Sequence, residues 1–189
     1  MNILYVIKYS GPFGFIKPWT AVRDGETYSQ QFLTPSIIEG MEKKLFPELL
    51  ESKGIQKICS HRLNYEGLSI QQEKTWSKGG FRVEKSKNQW KTNVGILSRG
   101  VMIEPNLYLA FLREADAKRA YSQTLCLCRN EDLIFPEEMI RLNKDAYDNI
   151  SGFELDFTQK NFKVGHNRFE DQKAMFGNLK IIGNPIRSE

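Results

Sequence analysis

A chain of 189 residues is long enough for one domain with a substantial core, or for one domain with an arm. Its 40% hydrophobic content and 12% aromatics exclude a disordered protein, and no apolar run approaches the ~20 residues a membrane span needs. The net charge is only +4, but Lys74, Lys78, Arg82, Lys85, Lys87 and Lys91 stand against the single acid Glu84, so the surplus belongs to one segment.

The first strand is expected over residues 2–9, which are mostly β-branched and aromatic. No basic region precedes this apolar run and no small-residue cleavage site follows it, so it reads as a strand rather than a signal peptide. Gly11 and Pro12 then stop the ladder. A loop of roughly twenty residues follows, long for a compact domain and so more often functional than filler. It carries Phe13, Phe15, Trp19 and Tyr28 beside Lys17 and Arg23. Leu33, Thr34, Pro35 and Ser36 read as a helix start, with Thr34 placed to cap free amides and Pro35 suited to the first helical position. Ile37, Ile38, Met41 and Leu45 fall at helical spacing, so one face packs inward. A helix N-terminus offers N–H groups and positive potential to a phosphate. On these residues alone, an ordinary capped helix behind an ordinary loop is the simpler reading.

Pro47 ends or kinks this helix, and Gly54 stops the segment after it. A second strand is expected over 55–63, where His61 and Arg62 either face a ligand or sit at an edge. Residues 64–93 have no helical period and read as an arm, a hairpin with its tip at Gly79-Gly80. Its cations suit a polyanion, and Trp76, Phe81 and Trp90 interleave with them as stacking on bases would want. A solvated basic hairpin with aromatics turned to a core fits as well. Strands follow at 94–103 and 107–112, split by a turn at Glu104-Pro105-Asn106; the apolar run of the second suits a central, doubly covered strand. Residues 113–121 form a helix on which Glu114 and Lys118 pair at i, i+4, and 124–128 alternate as a strand.

The order is therefore βαββαβ, an α+β ferredoxin-like (RRM-like) domain spanning 1–189, with a projecting basic β-hairpin thumb at about 64–93. A less regular C-terminal extension, about 136–189, holds a short helix over 136–142 and strands at 153–157 and 179–182. Between those strands, 160–171 is loop-like, with Gly165-His166-Asn167-Arg168 as a candidate contact.

Motifs for catalysis are absent: no Walker loop, H-E-x-x-H, dinucleotide fingerprint or nucleophile elbow occurs. Cys126-x-Cys128 has no second ligand pair nearby, so neither a metal nor a cofactor is expected. With Cys59 the cysteines number three, which suits free thiols in a reducing cytoplasm. His61 and His166 could each act as a general base if folded beside Lys57 or Lys163.

Gly11-Pro12 after the first strand, a polar loop, and then Thr34-Pro35-Ser36-Ile37-Ile38-Glu39-Gly40, a Thr-x-Ser-x-x-x-Gly pattern, resemble the CasD family. That is the fifth-numbered Cas subunit of class 1 CRISPR effector complexes. The resemblance resumes over Val101–Leu109 and covers about two thirds of the chain. At Thr124–Arg129 the family usually shows Leu-Gly-Arg, whereas this chain has Cys128 in place of the glycine. The resemblance implies a non-catalytic, RNA-binding subunit of a Cascade-like ribonucleoprotein used in antiviral defence. It would hold the 5′ handle of the crRNA and cap the filament of backbone Cas subunits beside the large Cas subunit. Target DNA is then read only indirectly, through guide pairing. One branch of the family cuts RNA with a tyrosine after the Pro-Thr of the helix start and a later Lys-His dipeptide. Here Pro35 occupies the tyrosine position and no Lys-His dipeptide occurs. A metal-independent endoribonuclease processing CRISPR precursor RNA remains the alternative.

The expected RNA-binding residues are Thr34 and Ser36 at the helix start, Arg23, Arg62, Arg99 and Arg129 near it, and Tyr28 as a stacking partner. On the arm they are Lys74, Trp76, Lys78, Arg82, Lys85, Lys87, Trp90 and Lys91. No membrane partner is expected.

Overall fold

The structure, a computed structural model, describes residues 3–20, 25–84, 89–158 and 161–187, those between 75 and 94 through the backbone alone. In chain order the elements are β1 (Ile3–Ser10), β2 (Phe13–Gly14), β3 (Glu26–Tyr28), α1 (Pro35–Leu45), β4 (Ile58–Asn64), β5 (Gly67–Glu84), β6 (Gln89–Ile103), β7 (Asn106–Phe111), α2 (Glu114–Tyr121), β8 (Leu125–Cys126), β9 (Leu133–Asn143), α3 (Lys144–Asp148), β10 (Gly152–Asp156), β11 (Phe162–Asn167) and β12 (Lys173–Ile182). The fold is mixed α+β, with few helices and a mostly antiparallel sheet.

The main sheet has eight strands in the order β11-β12-β10-β4-β7-β1-β9-β8. Strand β1 lies near its centre, antiparallel to both β7 and β9. Side chains alternate across a strand, and both faces of β1 are covered. Ile7 and Tyr9 join Leu63, Leu109 and Phe111 in a core that receives Ile38, Met41 and Leu45 from α1 and Ala117 and Ala120 from α2. Leu4 and Val6 turn the other way, onto Ala110 and Tyr147 of α3. Each such aliphatic side chain, fully buried, stabilises by roughly 1.5–3 kcal/mol. The Tyr9 hydroxyl crosses that core to donate to the Ala120 carbonyl at 2.7 Å, fixing the end of α2 to the sheet.

Helix α1 begins at Pro35 as its sequence predicts, but the Thr34 side chain makes no capping hydrogen bond. The first turn is closed through the Thr34 carbonyl, which accepts from the amides of Ile37 and Ile38 at 3.0 and 3.1 Å. Two acids of this helix are buried. Glu39 is paired with Lys43 at 2.9 Å, and Glu42 accepts from the amides of Gln56, Lys57 and Ile58 at 2.8, 2.5 and 2.7 Å. One carboxylate thus anchors the whole approach to β4. Glu42→Ala should cost roughly 3 kcal/mol, since three amides, that of Ile58 buried, lose a charged acceptor at once. A fall in the denaturation midpoint at unchanged m-value checks this.

The arm is a long hairpin of β5 and β6, paired from Gly67↔Ile103 to Glu84↔Gln89. It departs from the expectation in two ways. Its base lies at 67 and 103, and β5 runs on through Gly79 and Gly80, with a register irregularity between Trp76 and Phe81 instead of a tip. The expected loop is tied to this base, because β2 pairs antiparallel and β3 parallel with β6.

The C-terminal segment is more regular than its sequence predicts. Residues 136–142 belong to strand β9, not to a helix. Glu137, Glu138, Met139 and Leu142 favour a helix locally, but pairing along β1 overrides propensity. Pro136 is tolerated because it lies opposite Tyr9 at a bulge, beyond the two residues that β8 pairs. Part of the expected 160–171 loop is strand β11, and β10, β11 and β12 extend the main sheet.

Candidate nucleic-acid interface

A cavity of about 320 Å³ runs along one face of α1, from Thr34 past Ile37, Gly40 and Met41 to Lys44. Its walls come from the two edge strands of the main sheet, Leu125–Cys126 of β8 and Val164 to His166 of β11, which therefore curl towards each other around the helix. Lys17, Trp19 and Arg168 complete the rim.

The chemistry of the lining favours an anion. Among the described residues no carboxylate takes part, while Lys17, Lys44 and Arg168 are all exposed and make no ion pair. The first turn of α1 carries no acid, so the positive end of its macrodipole is not offset. Burial pushes the Cys128 thiol up. Lys44 Nζ lies 4.0 Å from Cys126 Sγ.

Gly40 shapes the rim. A Cβ there would overlap the Arg168 guanidinium, which lies across the helix at this point. The backbone amide of Arg168 donates to Ser36 Oγ at 3.4 Å, and its guanidinium lies over the Phe169 ring at 4.7 Å. The spacing of Ser36 and Gly40 thus seats one arginine. Trp19 also meets His166 edge to face at 5.9 Å, and Lys163 Nζ lies 5.2 Å from the Trp19 ring.

A second cluster stands at the base of the hairpin. The guanidinium groups of Arg99 and Arg129 both lie over the buried Phe15 ring, at 5.4 and 5.3 Å. Tyr28, half exposed, packs over Gly100, where any side chain would collide with its ring. Arg129 is bound bidentately to buried Asp132 at 2.6 and 2.8 Å, and Arg99 contacts Glu73 at 3.4 Å. Lys74 is exposed on β5.

The structure therefore brings Thr34 and Ser36 to the cavity, and Tyr28, Arg99 and Arg129 to one cluster. Thr34 and Ser36 are themselves buried, so they present the helix end rather than free hydroxyls. Arg62 stands apart from both groups. It is 3% exposed, pairs with Glu154 at 2.8 Å, and donates to the carbonyls of Tyr147, Asp148 and Ile150. Arg23, Lys85 and Lys87 lie outside the described residues, as do the side chains of Trp76, Lys78, Arg82, Trp90 and Lys91. Lys44 is a residue that sequence reasoning missed; its place four residues after Gly40 is the signal that could have found it.

Among the described residues no group of three or more His, Cys, Asp or Glu side chains could hold a metal ion, and no helix is long and apolar enough to cross a membrane.

Fold and cavity together define an α+β protein with a curled antiparallel sheet, a long hairpin arm and a cationic groove along its first helix. In this fold the chain is similar to a solved chain of a CRISPR RNA-guided surveillance complex, with a TM-score of 0.54 and 11% identity over 98% of this chain and 90% of that one. A second solved structure, a Cas protein, gives a TM-score of 0.47 and 10% identity over 98% of each chain. No family model and no curated protein matches the sequence.

Proposed function

We propose that the chain is a non-catalytic, cytoplasmic subunit of a class 1 CRISPR effector complex. It binds the 5′ handle of the guide RNA and caps the filament of backbone Cas subunits, next to the large subunit. The observation that carries this reading is the groove along α1, where three cations that make no ion pair among the described residues meet a helix N-terminus, with no described carboxylate opposing them. The fold shared with a chain of a surveillance complex supports it. So does the succession of β4, β7, β1 and β9 in the sheet, which suits a ferredoxin-like βαββαβ unit carrying the C-terminal strands as an extension.

In this reading the Thr34–Gly40 face holds handle phosphates while Tyr28, Arg99 and Arg129 lie where the RNA leaves for the arm. The cations of the hairpin then follow the backbone, with Trp76 or Trp90 stacking on a base. Pro35 at the position of the catalytic tyrosine of the cutting branch supports a binding role. Buried His61, whose pKa burial lowers to about 4, is a poor candidate for a general base.

The test is direct. Labelled repeat RNA incubated with the chain, in EDTA and again in magnesium, should be retained at full length. RNA lacking the handle should bind roughly tenfold more weakly or worse, the equivalent of about 1.4 kcal/mol. Site-specific products lost on His166→Ala would instead establish the endoribonuclease, and equal affinity for both RNAs would remove the handle from the account.

A further inference from the structure

A second cavity, of about 700 Å³, opens where β4 and β10 part company. These strands are neighbours in the sheet, yet their ladder contains one residue pair, Phe153 with Leu63. Past that pair the seam is spanned by side chains, with Ser60 Oγ and Arg62 Nε each donating to Glu154 at 2.8 Å.

The gap has an apolar wall, to which Ile38, Ile55, Leu155, Phe157 and Ile182 contribute, and a charged rim. The rim is internally matched: Arg62 pairs with Glu154, Lys144 with Asp148 and Lys180 with Asp156, at 2.8, 2.8 and 2.7 Å. Among the described residues, three cations against three carboxylates leave no surplus charge to attract a phosphate or a metal ion. One polar group is left over. His61 lines the cavity at 3% exposure, its ring stacked on Phe157 at 5.5 Å, and its Nε2 has no hydrogen-bond partner among the described residues. Burial keeps this imidazole neutral at physiological pH. A buried ring nitrogen without a partner costs free energy that a suitable ligand would recover.

We propose that this gap binds an uncharged nucleobase, its hydrogen-bonding edge against His61 Nε2 and its face on the aliphatic wall. A matched rim repels neither a neutral ring nor its attached sugar, and a base joins a flat apolar face to a polar edge in one rigid group. The choice of a nucleobase rests on the RNA-binding reading above. The base arrives either as a free nucleoside or turned out of a bound RNA strand, at the unstacking cost such extrusion carries.

The experiment follows the His61 imidazole by NMR in the isotope-labelled chain. Adenosine, guanosine, cytidine and uridine are added separately to millimolar concentration, then handle-bearing RNA, whose binding is read independently by fluorescence anisotropy. A saturable His61 shift is expected with at least one nucleoside or with the RNA; a response to RNA alone identifies the strand as the source. His61→Phe keeps an aromatic ring against Phe157 and should weaken nucleoside binding, read by equilibrium dialysis, about tenfold, or about 1.4 kcal/mol. Ile182→Trp should block the gap and remove the shift while retaining the His61 signal, which covers failure of the first variant to fold. RNA that binds by anisotropy without moving His61, with the nucleosides silent too, overturns the inference and leaves the function standing. A shift that survives Ile182→Trp also overturns it. A nucleoside response from a chain that fails to retain RNA upholds the gap and removes the proposed function.

Discussion

Arg62→Ala should destabilise the chain by roughly 3–5 kcal/mol, the range for breaking a buried ion pair by removing one partner. The Arg62 side chain is 4% exposed, and its guanidinium ties three elements together. Nε pairs with Glu154 of β10, Nη1 donates to the carbonyls of Tyr147, Asp148 and Ile150 at and just past the end of α3, and Nη2 reaches Asp148 at 3.4 Å. The cation lies 4.8 Å from the Tyr147 ring and beside the C-terminal carbonyls of α3, where positive charge is favoured. Removing it leaves Glu154 with only the Ser60 hydroxyl as donor and takes a charged donor from the carbonyls of Tyr147, Asp148 and Ile150. Arg62→Lys should recover only part of the loss, because an ammonium cannot reproduce the fork. Urea denaturation of both variants reads the effect. An Arg62 that served RNA would give the opposite pattern, with an unchanged midpoint and weakened RNA binding.

Reversing Lys17, Lys44 and Arg168 together to glutamate should lower guide-RNA affinity by roughly 100-fold or more, since like charge set against phosphate costs several kcal/mol. The three side chains are exposed, and none forms an ion pair among the described residues, so stability should change little. The salt dependence gives a second readout. Each single-strand phosphate contact contributes a slope of about −0.7, so losing these contacts should make the plot of affinity against salt shallower by up to about 2. Gly40→Ala offers a milder probe, because its Cβ would displace only the flexible end of Arg168. Its expected effect is a weakened RNA complex in a chain of normal stability. Wild-type affinity and slope in the triple variant would take the groove out of the interface.

Much of the local structure was legible in the residues. Pro35 at the first helical position, the 3–4 spacing of Ile38, Met41 and Leu45, and the Glu114–Lys118 pair at 2.7 Å all express short-range rules that tertiary context left intact. Strand β9 was not legible, because its helix-forming side chains are overruled by a partner, β1, more than a hundred residues away in sequence. Arg62 misled for a related reason. A cation beside a histidine on a strand looks the same in sequence whether it faces solvent or a buried carboxylate. What settles the matter is Glu154, brought alongside by β10.

The sequence by itself determined where the chain turns, which face of α1 is apolar, and that the basic surplus lies between residues 74 and 91, since propensity, period and charge are properties of neighbours. Only the tertiary structure decided that the two edges of the eight-stranded sheet meet around α1. That closure gathers Lys17, Lys44 and Arg168 onto one groove from positions with no common period. It arises from long-range strand pairing and twist, which no local pattern of residues encodes.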